Sequence, residues 1–187
     1  MITHILFDLD NTLYSARFGL EEAVTRRIRA FISQWLGVSP EEAAAMRGAS
    51  MDRYGTTAEW LTAEKGLKDI DAYYRAVHPE DEADSLRPDP GLRPFLESLP
   101  CPIAILTNSP LTHARRVLDK LEIRDLFPPE RIFDLPGNGF TGKPDPRAYR
   151  RALQALGAHP EEVLFVDDTP RHVEGYLALE RSCPGVL

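Results

Sequence analysis

Apolar residues fall into two kinds of pattern along this chain. Short unbroken runs at 2–9, 102–106, 131–134 and 162–166 show little alternation, as expected of strands buried on both faces of a parallel sheet. Each run is followed by a turn and then by helical spacing, so the repeat is strand and helix. The interval between the first two runs differs. There Leu20, Val24, Ile28, Phe31 and Trp35 recur at helical spacing, and no strand pattern intervenes. Ser39-Pro40-Glu41-Glu42 reads as a capping box with Pro at the first helical position, and Gly55-Thr56-Thr57 and Lys68-Asp69 mark two later helix starts. Trp35 and Trp60 are expected to pack on apolar helix faces. The acidic stretch 80–84, with Pro88 and Pro90, reads as a solvated hinge. Beyond it, Asp89-Pro90-Gly91-Leu92 and Asp145-Pro146 each begin a helix that leads into the next strand.

These patterns predict an α/β fold, a doubly wound parallel sheet with a small all-helical domain inserted after the first strand. The expected boundaries are 1–14 with 88–187 for the sheet domain and 15–87 for the helical one. A chain of 187 residues, 43% hydrophobic and 27% charged, can bury a core of that kind and is too apolar to be disordered. Its 22 basic and 29 acidic residues leave a net charge of −7. That field disfavours nucleic acid polymers and anionic membranes, and an anionic substrate would need a cation, a lysine or a helix N-terminus to hold it. No run approaches the roughly 20 apolar residues that span a bilayer. With two cysteines, and with Met1-Ile2-Thr3-His4 lacking the layout of a signal peptide, a reduced, cytoplasmic protein is expected, as a monomer or homodimer.

The strand ends carry the candidate chemistry. In an open parallel sheet, ligands bind at the carboxyl edge, and there the first run ends in Asp8-Leu9-Asp10-Asn11-Thr12. Taken alone, two such acids are better explained by turn formation. The second run ends in Thr107-Asn108-Ser109-Pro110 before a helix, which suits a phosphate group but also an ordinary helix cap. Gly142-Lys143-Pro144 places a lysine in a loop, and the last run ends in Asp167-Asp168, two like charges that are costly without a cation. Together these ends describe a hard-cation site of carboxylates beside an anion pocket with one fixed positive charge. The five histidines, at 4, 78, 113, 159 and 172, show no metal-ligand spacing and receive no catalytic role.

Asp8/Asp10/Thr12, Thr107, Lys143 and Asp167/Asp168, in that order, resemble the motifs of the haloacid dehalogenase superfamily, with a helical cap inserted after the first strand. Asp10-Asn11-Thr12-Leu13-Tyr14, Tyr54-Gly55-Thr56-Thr57, Val77-His78 and Pro88-Asp89-Pro90 are similar to its pyrimidine 5′-nucleotidase subgroup. The resemblance implies a phosphatase with Asp8 as nucleophile and Asp10 as general acid and base. It implies Mg²⁺ on Asp8, the Asp10 carbonyl and Asp168, with Asp167 in direct or indirect contact. Thr107, the Asn108 amide and Lys143 would hold phosphoryl oxygens, while Arg53, Tyr54 and Thr56 in the cap would meet the leaving group. The implied substrate is a small phosphorylated metabolite, a nucleoside 5′-monophosphate by the narrower likeness. Phosphoglycolate, a sugar phosphate, a phosphomutase reaction or a catalytically idle binding protein are the alternatives. Pro184-Gly185-Val186-Leu187 leaves only a stub for a last strand, which puts in question how firmly the final helix packs.

Overall fold

The computed structural model describes residues 1–182. The predicted strands form one four-stranded parallel sheet: β1 (His4–Phe7), β2 (Ile103–Leu106), β3 (Ile132–Phe133) and β4 (Val163–Val166), in the order β3-β2-β1-β4. Each strand is shorter than its apolar run because the ladder ends before the hydrophobicity does. Ile2 is exposed ahead of β1, whereas Leu9 is fully buried beyond its end. Ile5 lies opposite both Ile103 and Leu164, and Phe7 opposite both Ile105 and Val166. β1 is therefore an interior strand, which accounts for its continuous apolar run.

The chain divides into two compact units, Met1–Ser15 with Leu86–Leu187, and Ala16–Ser85. The second unit contains α1 (Leu20–Leu36), α2 (Pro40–Ser50), α3 (Thr57–Glu64) and α4 (Ile70–Val77). α1 is bounded by Gly19 and Gly37, both left-handed at φ 69° and 68°, a conformation that glycine takes without a Cβ penalty. Ser39 forms the predicted capping box with Glu42, and the side chains of Thr56 and Asp69 cap α3 and α4. Two expectations need correction here. Trp35 is 38% exposed and stacks on Phe31 at 6.3 Å, because Leu20, Ile28 and Ile32 form the buried stripe of α1 and Trp35 stands on its flank. The acidic stretch 80–84 is not wholly solvated. Glu82 is buried and pairs with His78 at 2.8 Å, and Ala83 is buried beside it, since a buried carboxylate persists only with a partner.

In the first unit the sheet is accompanied by α5 (Leu92–Glu97), α6 (Leu111–Lys120), α7 (Pro146–Leu156) and α8 (Pro170–Ser182). Leu6, Ala104, Leu106, Tyr149, Ala152, Leu153, Tyr176 and Leu179 form one core cluster, with Phe165 packed against it. Burial of such side chains contributes about 1.5–3 kcal/mol each before the cost of ordering them. α8 is firmly seated through Tyr176 and Leu179, and its backbone approaches Pro144 closely at Gly175. The expected strand stub at 184–187 lies outside the described residues. Among the described residues no helix is long and apolar enough to cross a membrane.

Candidate active site

Parallel pairing brings the carboxyl ends of β1, β2 and β4 to one edge of the sheet. The Asp8 N–H donates to Val166 at 2.8 Å and the Thr107 N–H to Phe133 at 2.9 Å, so both residues extend their strands by one hydrogen bond. Asn11 then turns the chain in a left-handed conformation, φ 59°, which asparagine tolerates better than most residues. The turn returns the Thr12 hydroxyl to the strand end. It donates to Asp8 Oδ2 at 3.2 Å and accepts the Asp168 N–H at 3.2 Å, bridging the ends of β1 and β4.

Lys143 lies at the centre of the cluster and is fully buried. Its Nζ is 2.6 Å from Asp8 Oδ1 and 2.6 Å from Asp167 Oδ2, and 5.6 Å from the centre of the Phe165 ring. The loop carrying it is fixed by Asn108, whose side-chain amide donates to the Lys143 carbonyl at 2.9 Å and accepts the Lys143 N–H at 2.7 Å. The Asn108 side chain is therefore committed to this loop. The buried Thr107 hydroxyl accepts the Ser109 N–H at 3.0 Å, which leaves its own proton to donate. Asp167 also accepts from His172 Nδ1 at 3.0 Å.

Burial pushes the Asp8 carboxyl up to about 6, with Lys143 pulling it down and neighbouring Asp167 and Asp10 adding to the rise. Burial also raises Asp167, but the His172 hydrogen bond and Lys143 outweigh it and hold that group below the usual range. Asp10 is set differently. Burial opposes its ionisation, yet His113 at 2.8 Å, Tyr14 at 2.6 Å and Ser109 at 3.0 Å drive it far below the ordinary carboxylate range.

Oxygen atoms of Asp8, Asp167 and Asp168 lie within 4.8 Å of one another. Three carboxylates facing one ammonium carry surplus negative charge, and an all-oxygen donor set fits a hard divalent cation such as Mg²⁺. The structure thus gathers Asp8, Asp10, Thr107, Asn108, Lys143, Asp167 and Asp168 at one sheet edge. Arg53, Tyr54 and Thr56 belong to the helical unit, around the start of α3. There Arg53 pairs with Glu64 at 2.7 Å, the Tyr54 hydroxyl donates to Glu64 at 3.0 Å, and Thr56 accepts the Glu59 N–H. Sequence reasoning did not single out His113 and His172. Their spacing carries no metal-ligand signature, and the available clue was placement within the first turn or two after the Thr107 and Asp168 motifs.

Comparison with known proteins agrees with this geometry. The pattern of a haloacid dehalogenase-like hydrolase matches residues 2–178. The chain belongs to that family. It is 32% identical over 178 residues to hexitol phosphatase A of Escherichia coli, spanning 92% of this chain and 77% of that protein. It is 28% identical to phosphate metabolism protein 8 of Saccharomyces cerevisiae, across 92% of this chain but only 58% of the yeast protein. Phosphoglycolate phosphatase of Rhodospirillum rubrum is 26% identical over 90% of this chain and 73% of its own length. Among solved structures, a haloacid dehalogenase-family phosphatase from Thermococcus onnurineus superposes with a TM-score of 0.61 at 22% identity, covering 95% of this chain and 83% of that one. The L-2-haloacid dehalogenase of Xanthobacter autotrophicus gives 0.61 at 22% identity, covering 96% and 75%. These two likenesses speak for the fold.

Proposed function

We propose that this hydrolase cleaves phosphate monoesters of small metabolites, with Asp8 as nucleophile. The observation that carries the reading is the buried ammonium of Lys143, bonded at 2.6 Å to both Asp8 and Asp167 beside the Thr107 hydroxyl. An anionic nucleophile must approach an anionic phosphate, and a fixed positive charge at the meeting point reduces that repulsion. In the proposed reaction an Asp8 oxygen bonds to phosphorus while the bond to the leaving alcohol breaks, and Asp10, ionised at rest, relays to that oxygen the proton that the ester carries as its monoanion. Water then attacks phosphorus, yields a proton to Asp10 and releases Asp8 and inorganic phosphate. Thr107 and Asn108 would donate to phosphoryl oxygens through hydroxyl and backbone N–H. Asp8, the Asp10 carbonyl and Asp168 would hold Mg²⁺, with Asp167 beside them, and the ion would offset charge on the phosphate.

Hexitol and phosphoglycolate phosphatases among the relatives favour a phosphorylated polyol, sugar or hydroxy acid as substrate. The Asp10-Asn11-Thr12-Leu13-Tyr14 run supports the nucleoside 5′-monophosphate reading that the sequence suggested. Phosphate release from hexitol phosphates, phosphoglycolate and nucleoside monophosphates, with Mg²⁺ or with EDTA, distinguishes the two. The absence of Mg²⁺-dependent release from every ester, in folded protein, would overturn the proposal.

A further inference from the structure

His113 occupies the first turn of α6 and is 1% exposed, a place where an aliphatic side chain would pack without needing a polar partner. Its Nε2 lies 2.8 Å from Asp10 Oδ1. A carboxylate only accepts, so that nitrogen carries the proton and donates it. The Tyr14 hydroxyl donates to the same oxygen at 2.6 Å. Oδ1 thus has two donors from two separate segments, one following the first motif and one the second, while Oδ2 has the Ser109 hydroxyl at 3.0 Å, which can rotate away. The two oxygens of Asp10 are not equivalent.

We infer that His113 is a positioning residue: with Tyr14 it pins Oδ1 of Asp10, so that Oδ2 alone exchanges protons with the leaving alcohol and the attacking water. The inference rests on the phosphatase reading above. In the first half-reaction Oδ2, ionised at rest, relays the proton that the ester carries as its monoanion to the ester oxygen as its bond to phosphorus breaks. In the second, Oδ2 takes one proton from water as the water oxygen bonds to phosphorus and Asp8 departs. A carboxylate free to swing would spend much of its time with neither oxygen in line, and misplacement of about 1 Å can cost on the order of a hundredfold.

Such a role depends on the leaving group in a way that general destabilisation does not. An alkoxide needs the proton, whereas p-nitrophenolate leaves readily without it. The test measures kcat/KM, which reports the first phosphoryl transfer, for an alkyl monoester cleaved by wild type and for p-nitrophenyl phosphate. His113→Leu is expected to lose about a hundredfold on the alkyl ester and less than about threefold on the aryl ester. His113→Gln, which keeps an N–H near the Nε2 position, is expected to recover most of the loss. Tyr14→Phe removes the other donor without altering α6 and is expected to show the same selective loss, so the inference stays testable if the leucine variant does not fold. Equal losses on both esters, or no loss in any variant, would overturn the positioning role while leaving the phosphatase reading intact. A wild-type protein that hydrolyses neither ester would overturn both.

Discussion

Asn108 and the backbone of Lys143 hold each other through a reciprocal pair of hydrogen bonds, 2.9 Å and 2.7 Å long. The end of β2 thereby fixes the loop that delivers the central cation, across 35 residues of sequence.

Asn108→Ala should loosen that delivery. It leaves a buried N–H and carbonyl without their partner, at about 1–3 kcal/mol for each group that water does not reach. Phosphate release is expected to fall by at least about tenfold, mainly in kcat, with a lower urea midpoint. Unchanged kinetics would show that Lys143 is held by its ion pairs alone.

Lys143→Met removes the charge while keeping most of the volume. Asp8 and Asp167 are then buried like charges without their shared partner, and breaking a buried pair from one side typically costs about 3–5 kcal/mol. Turnover is expected to fall by about 10²–10³-fold. Lys143→Arg should not rescue it, because the site is fully closed around the ammonium and a guanidinium is both larger and planar. Chemical denaturation and phosphate release check both statements.

Asp10 gives a pH-dependent contribution whose sign is fixed. Its carboxyl lies below its ordinary 3.8 in the folded protein, so the unfolded chain takes up the proton first as pH falls. The stabilisation is present above the unfolded value, begins to fade below about pH 5 and is lost as pH falls through the folded value. The stability difference between wild type and Asp10→Asn should therefore be constant from pH 7 to 5 and shrink in more acidic buffers. Urea midpoints across that range measure it, and a gap that widened toward acid would contradict the assignment.

Mg²⁺ bound to the folded carboxylates should stabilise the protein by about 2.7 kcal/mol at a hundred times its dissociation constant, and so raise the melting temperature in a concentration-dependent way. Asp168→Asn should flatten that response and cut turnover. EDTA should abolish phosphate release and lower the melting temperature of wild type to the metal-free value.

Gly175→Ala tests the support behind the lysine loop. A Cβ there would stand 2.8 Å from the Pro144 Cβ and 2.9 Å from its carbonyl oxygen, closer than real contacts allow. The expected loss is about 1–3 kcal/mol, accompanied by lower activity because Pro144 follows Lys143 directly. Full stability in thermal unfolding would mean that α8 can shift at no cost.

Much of the sheet was legible because strands buried on both faces need unbroken apolar runs, and those runs stop where the chain meets the ligand edge. Asp8, Thr107 and Asp167 were readable for the same reason: polar residues at the ends of such runs cannot serve the core, whereas Lys143, in a loop, was readable only from its place in the order of motifs. His113 and His172 were not, since a single histidine inside a helix looks alike whether it faces water or a carboxylate. Glu82 was misread within its acidic run because composition does not reveal which member of a run turns inward. Its position four residues after His78 was the signal: the chain leaves α4 at Val77 and turns over 80–85, which brings the two side chains within 2.8 Å. The flank position of Trp35 was ambiguous because Leu20 and Ile28 fit both the expected and the observed stripe.

The position of β1 inside the sheet also affects how the molecule is made. His4 pairs with Val163, 159 residues later, so at ribosomal rates of about 5–20 residues per second the strand waits about 8–30 s for its second neighbour. For that time the stretch that ends in Asp8 is an apolar segment with an open edge, while α1 to α4 already have their nearest partners within residues 16–85. The strand that leads into Asp8 is thus exposed to mispairing with other nascent chains, and long-range closure of this kind is slow. A chaperone that shields His4–Phe7 would act on the same few residues that later position the chemistry.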